Sequence, residues 1–237
     1  MIEKWTIGFD ADDTLWHNER FFQISQARFA EMLSDWVPAE HLAERLLAAE
    51  RRNLGRYGFG IKGFTLSMIE TAIEVTDARL PASVISDLLE VGRELLAHPI
   101  ELLPGVEETI KALASKAQLV LITKGDLLDQ ERKLAQSGLG DYFDAVEIVS
   151  HKTVETYQKI FANRGRARMA MVGNSLKSDI IPALETGAWA IHVPHDLTWE
   201  LEYAAKPANH PKFHELSKIA ELPALLRRID DDHSPES

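Results

Sequence analysis

The chain contains no cysteine. Disulfides, thiolate metal sites and thiol nucleophiles are thereby excluded, and the composition suits a reducing compartment, so a cytoplasmic protein is expected. Excess positive charge is missing too. Lys and Arg number 26 against 37 Asp and Glu, a formal net charge of −11, with no basic block. A nucleic-acid polymer is held through its phosphates by clustered Lys and Arg, so no such partner is expected. No apolar run is long enough to span a bilayer, and Met1-Ile2-Glu3-Lys4 lacks a signal peptide's apolar core, so no membrane partner is expected either. What is present, 45% hydrophobic and 27% charged residues over 237 positions, is ordinary for a globular chain that can bury a large core.

Four short apolar runs read as buried parallel strands: Thr6–Phe9, Leu119–Thr123, Ala170–Gly173 and Ala190–Val193. None alternates cleanly, as expected where helices cover both sheet faces. Helical patterns separate the later runs over Val106–Ser115, Leu127–Ser137, Thr153–Asn163 and Ile180–Thr186, with Gly138, Gly165 and Gly187 as stops. This alternation predicts an α/β fold with a doubly wound, mostly parallel sheet. Residues 17–103 read as helix throughout, with segments Phe21–Leu33, Ala39–Arg52, Thr65–Thr76 and Ala82–Ala97, and Pro38 and Pro81 as starts. An all-helical insert after the first strand would form a separate cap domain at 17–103. The α/β core would then be discontinuous, 1–16 and 104–229, and the polar tail 230–237 is expected to be disordered. A glycine-dense stretch, Gly55 to Gly63, is expected as a loop between cap helices.

The first strand runs into Asp10-Ala11-Asp12-Asp13-Thr14. Asp10 and Asp12 would point the same way on an extended backbone. Two carboxylates so close repel, a cost made tolerable by a divalent cation or an incoming reaction partner. In an open α/β sheet, ligands collect outside the carboxyl ends of the strands. The second strand ends at Thr123-Lys124-Gly125-Asp126, Ser150-His151-Lys152-Thr153 follows the apolar run Ala145–Val149, and the next strand ends at Gly173-Asn174 through Asp179. An acidic pair, a hydroxyl, a lysine and a further acid would converge on one rim.

These four elements, in this order, resemble the motifs of the haloacid dehalogenase (HAD) superfamily. Within it the chain is similar to the phosphatase branch with a helical cap after the first motif, as in phosphoglycolate phosphatases and nucleotidases. The DxDx(T/V) motif is matched by Asp10 to Thr14, the Ser/Thr after a hydrophobic strand by Thr123, the helix-leading Lys by Lys152, and the acidic GDxxxxD-type element by Gly173-Asn174 through Asp179. The resemblance implies a Rossmann-like core and a Mg²⁺-dependent phosphomonoester hydrolase that forms an aspartyl-phosphate. It implies Asp10 as nucleophile, Asp12 as acid and base, and Thr123 and Lys152 as catalytic and phosphate-binding groups, with amides at Ala11, Asp12 and Lys124. Asp10, the Asp12 carbonyl and Asp179 would hold Mg²⁺. Asn174 stands where many relatives carry Asp, and could still hold a metal-bound water or orient Lys152.

Around this set, Asp13 reads as a turn cap, and Lys159 rivals Lys152 on the same helix. His192 and His195 have no matching carboxylate cluster and read as structural or exposed. Tyr57 and Lys62, in the glycine-dense stretch, are candidate substrate contacts. The implied substrate is a small phosphorylated metabolite, handled by a monomer or a homodimer. A phosphomutase, a metal-independent 2-haloacid dehalogenase (disfavoured by Asp12) and an idle phosphometabolite- or partner-binding protein are the alternatives.

Overall fold

The computed structural model describes residues 5–162, 164 and 168–232. These separate into two compact units. One comprises the described parts of Met1–His17, Ile100–Thr123 and Leu134–Ser237, and the other Asn18–Pro99 with Lys124–Lys133.

The first unit is built on a six-stranded sheet. Its strands are β1 (Trp5–Phe9), β2 (Gln118–Lys124), β3 (Ala145–Val149), β4 (Arg168–Gly173), β5 (Trp189–His192) and β6 (Phe213–Glu215), in the order β3-β2-β1-β4-β5-β6. β1 pairs in parallel with β2 and β4, β4 with β5, and β5 with β6. The order reverses at β1, and at such a switch point a crevice opens beyond the strand ends. β1 is buried along its whole length, which explains its unbroken apolar reading. One face packs Ile7, Phe9, Leu119, Leu121, Val172 and Ile191 into a core, and the other packs Val120, Ile122, Met171 and Ala190 into a second. The two faces are therefore both covered, and the expected α/β class holds.

The four strands expected from apolar runs are present, and the run Ala145–Val149 is a strand as well. β6 was not foreseen. With the sequence Phe-His-Glu it has no apolar run, and its register against β5 makes it a strand. The helix Leu222–Asp232 corrects the expected tail: Asp230 lies within it and accepts from the Trp5 indole (3.0 Å) and Arg168 (2.8 Å). Residues 233–237, and the expected stop at Gly165, lie outside the described residues.

The second unit contains α1 (Glu19–Met32), α2 (Ala39–Tyr57), α3 (Ile61–Val75) and α4 (Ala82–Ala97) around a core of Phe21, Phe29, Leu42, Leu46, Phe64, Met68 and Leu88. The expected Gly55–Gly63 loop shrinks to Gly58–Gly60, because α2 continues through Gly55 to Tyr57 and α3 already starts at Ile61. Within Gly55–Gly63, Gly58 (φ 73°) and Gly60 (φ 116°) are the glycines in the left-handed region that favours glycine. Among the described residues no helix is long and apolar enough to cross a membrane.

Candidate active site

β1 delivers Asp10 at its carboxyl end, where the Asp10 N–H donates to the Val172 carbonyl at 2.9 Å. The ladder bond to β4 fixes the backbone, so the side chain must project beyond the strand. β4 ends at Gly173, followed by Asn174, Ser175 and a π-type turn, Leu176–Ile180, that carries Asp179. Lys152 precedes the helix Val154–Ala162. These three residues meet. Lys152 Nζ donates to Asp10 Oδ1 and, at 2.7 Å, to Asp179 Oδ1. All three are buried, Asp179 and the Lys152 side chain almost completely. Lys152, rather than Lys159, makes the contact.

Two acids and one lysine share this buried space, so one carboxylate charge is left over. Burial, and after it the facing Asp179, push the Asp10 carboxyl up to about 7, against the pull of Lys152. Burial would lower Lys152, but Asp10 and Asp179 hold it above the ordinary lysine range. Asp179 is itself anchored: Oδ2 accepts the Ser175 N–H at 3.0 Å. Gly173 makes room for it, since a Cβ there would lie 2.3 Å from Asp179 Oδ2. Any other residue at 173 would evict the carboxylate.

Thr14 ties the first and fourth motifs together. Its hydroxyl donates to Asp10 Oδ2 at 2.9 Å and accepts the Asn174 N–H at 3.0 Å, with Asn174 Oδ1 at 3.3 Å. Asp12 Oδ1 accepts the Trp16 indole N–H at 2.8 Å, and Trp16 is fully buried. Thr123 is buried at the end of β2, two residues past Leu121, the β-partner of Phe9. Asp13 has a left-handed backbone (φ 59°) and donates its N–H to the Trp16 carbonyl.

The remaining candidates belong to the helical unit. Tyr57 ends α2, half-exposed. Lys62 lies in the first turn of α3, its Nζ 3.3 Å from Asp126 and its N–H donating to the same carboxylate at 3.3 Å. Lys124 places its ammonium over the Phe59 ring, 4.2 Å from the centroid.

Several residues of the site escaped the sequence reading. Glu202 accepts from the Ser175 and Ser178 hydroxyls, and Tyr157 donates its hydroxyl to the Ser178 carbonyl at 3.0 Å. Buried His192 bonds Glu215 and the Asn174 carbonyl. These partners lie 18 to 27 residues apart, so local spacing carries no trace of them. The adjacency of β4, β5 and β6 was the signal that could have revealed His192.

For a divalent cation, Asp10 and Asp179 offer hard oxygen ligands beside an uncompensated negative charge. Among the described residues no group of three or more His, Cys, Asp or Glu side chains forms a metal cage. Two carboxylates completed by a main-chain carbonyl and water suit Mg²⁺, which retains several waters, and fit the set present here. The arrangement can therefore hold a cation beside a buried carboxylate.

The model of the haloacid dehalogenase-like hydrolases matches residues 6–187. The pyrimidine 5′-nucleotidase YjjG of Escherichia coli (strain K12) is 33% identical over 200 residues, 78% of this chain and 84% of that protein. A haloacid dehalogenase-like family hydrolase from Xanthomonas campestris superposes with a TM-score of 0.86 at 41% identity, covering 97% of this chain and 93% of that one. The magnesium-bound HAD-hydrolase YfnB from Bacillus subtilis shares the fold, with a TM-score of 0.64 at 18% identity over 94% of this chain and 99% of that one. The chain belongs to the haloacid dehalogenase-like hydrolases.

Proposed function

We propose that the protein is a Mg²⁺-dependent phosphomonoester hydrolase acting on a small phosphorylated metabolite, with pyrimidine nucleoside 5′-monophosphates as the first substrates to test. The observation that carries the reading is the buried Asp10–Lys152–Asp179 cluster with Asp12 two residues from Asp10. The choice of substrate rests on the 33% identity to a pyrimidine 5′-nucleotidase.

In this reading an Asp10 oxygen attacks phosphorus and the bond from phosphorus to the ester oxygen breaks. Asp12, protonated at the start, gives its proton to the departing oxygen, leaving an aspartyl-phosphate on Asp10. Asp12, now a carboxylate, takes a proton from water as that water attacks phosphorus. The acyl-phosphate bond breaks, and both acids return to their initial states. Thr123, the amides of Ala11, Asp12 and Lys124, and the Lys152 ammonium bind the phosphoryl oxygens. Asp10, Asp179 and the Asp12 carbonyl would hold the metal, and Asn174 would orient a water beside it. Charge neutralisation between carboxylate and phosphoryl group is what bound Mg²⁺ supplies. Trp16 holds Asp12 as the acid and base. The helical unit acts as a cap in which Tyr57 and Lys62 contact the leaving group.

The test is phosphate release from a panel of small phosphomonoesters, with Mg²⁺ and with chelator, for wild type and Asp10→Asn. Metal-dependent release by the wild type alone supports the reading. Conversion of a sugar phosphate to its isomer without net phosphate release would indicate a mutase. Halide release from a 2-haloacid without metal would indicate a dehalogenase.

A further inference from the structure

His192 is buried at the end of β5, and its two ring nitrogens face different partners. Nδ1 lies 2.9 Å from Glu215 Oε2, and Nε2 lies 3.0 Å from the main-chain oxygen of Asn174. A carbonyl oxygen only accepts, so Nε2 carries the hydrogen and donates it. The register of the sheet produces this contact. Gly173 on β4 pairs with His192 on β5, and His192 pairs with Glu215 on β6. The imidazole is thus held at the height where β4 gives way to the turn carrying Asp179. Glu215 is steadied from its other side by Lys206 Nζ, at 2.8 Å from Oε2 and 3.0 Å from Oε1. Lys206 first and His192 after it hold the Glu215 carboxyl below its usual range.

The Asn174 oxygen and the Ser175 N–H belong to one peptide group. That N–H donates to Asp179 Oδ2 at 3.0 Å. His192 therefore fixes the plane of a peptide whose opposite edge fixes Asp179, whose Oδ1 is in turn held by Lys152 at 2.7 Å. Hydrogen bonds in series through one peptide polarise each other, so the donor at the carbonyl strengthens the N–H bond to the carboxylate. Rotation of that peptide would release Asp179 Oδ2.

We infer that His192, braced by Glu215, is a positioning residue that sets the Asp179 carboxylate through the Asn174–Ser175 peptide and thereby tunes Mg²⁺ affinity. The inference rests on the proposed Mg²⁺-dependent reading of this site. Partners that orient a metal ligand commonly contribute ~10-fold or more to affinity.

The experiment is calorimetric titration of the full chain with MgCl₂ alone, without substrate, for wild type, His192→Gln and His192→Asn. A Gln amide nitrogen can take the place of Nε2 and still donate to the Asn174 oxygen, whereas an Asn amide reaches only the Nδ1 position. Affinity near wild type in His192→Gln with about a tenfold loss in His192→Asn is expected. A general packing defect would not rank the two variants this way. Equal affinities in all three proteins, or equal losses in the two variants, overturn the inference while leaving the proposed function standing. If wild type itself does not bind Mg²⁺, both fall. Should His192→Asn not fold, Glu215→Gln decides: a loss of several-fold supports the brace, and none overturns it.

Discussion

The Trp16 indole N–H donates to Asp12 Oδ1 at 2.8 Å, which binds the candidate acid and base to a fully buried ring four residues downstream. Trp16 also bridges to Asp12 and to Leu102 through its main chain, so the ring has little freedom to move. Trp16→Phe keeps most of the packing and removes the donor. We expect kcat to fall roughly 10- to 100-fold with KM nearly unchanged, because a hydrogen bond to a charged group is worth roughly 1.5–3 kcal/mol and Asp12, as the proposed acid, would act on the leaving oxygen chiefly in the transition state. Steady-state kinetics on the best phosphomonoester check this.

Lys152 is the cation between two buried carboxylates. Lys152→Met leaves Asp10 and Asp179 facing each other. Loss of one partner from a buried ion pair costs roughly 3–5 kcal/mol, so the variant should be destabilised by about that much in chelator. Added Mg²⁺ should restore part of the loss. Urea unfolding with and without Mg²⁺ measures both quantities.

Burial and Asp179 raise Asp10 in the folded protein from 3.8 to about 7. Between about pH 4 and 7 the folded chain thus keeps a proton that the unfolded chain has released. The contribution of this group to stability therefore falls as pH rises and is smallest above pH 7. Asp10→Asn removes the titration. In chelator its Tm should exceed that of wild type at pH 8, and the difference should shrink towards pH 5. Mg²⁺ should narrow the gap at pH 8 by stabilising wild type. A difference independent of pH would contradict this.

The α/β class and the convergence of Asp10, Lys152 and Asp179 were legible because each leaves a local mark. β1, β2 and β4 are buried apolar runs, and the acids and lysine follow strand ends. β6 left no such mark, since three residues of mixed polarity become a strand only beside β5. Glycine density misled the reading of α2 and α3. Gly55 sits in open space in a helix held by Leu42, Leu46 and Ala49, so its lower helix propensity is outweighed by packing. The supports of the site were the least legible. Thr14 meets Asn174 160 residues away, and Glu202 meets Ser175 across 27. Strand order creates these contacts, and no spacing within one segment encodes them.

Rapid mixing of the protein with a ³²P-labelled phosphomonoester and Mg²⁺, followed by acid quench and peptide mapping, asks directly whether Asp10 becomes phosphorylated. Acid-stable label on the peptide carrying Asp10, absent from Asp10→Asn and from chelator-treated protein, is the expected result. Phosphate release with no label on that peptide at any mixing time, or turnover that persists in Asp10→Asn, would contradict nucleophilic attack by Asp10.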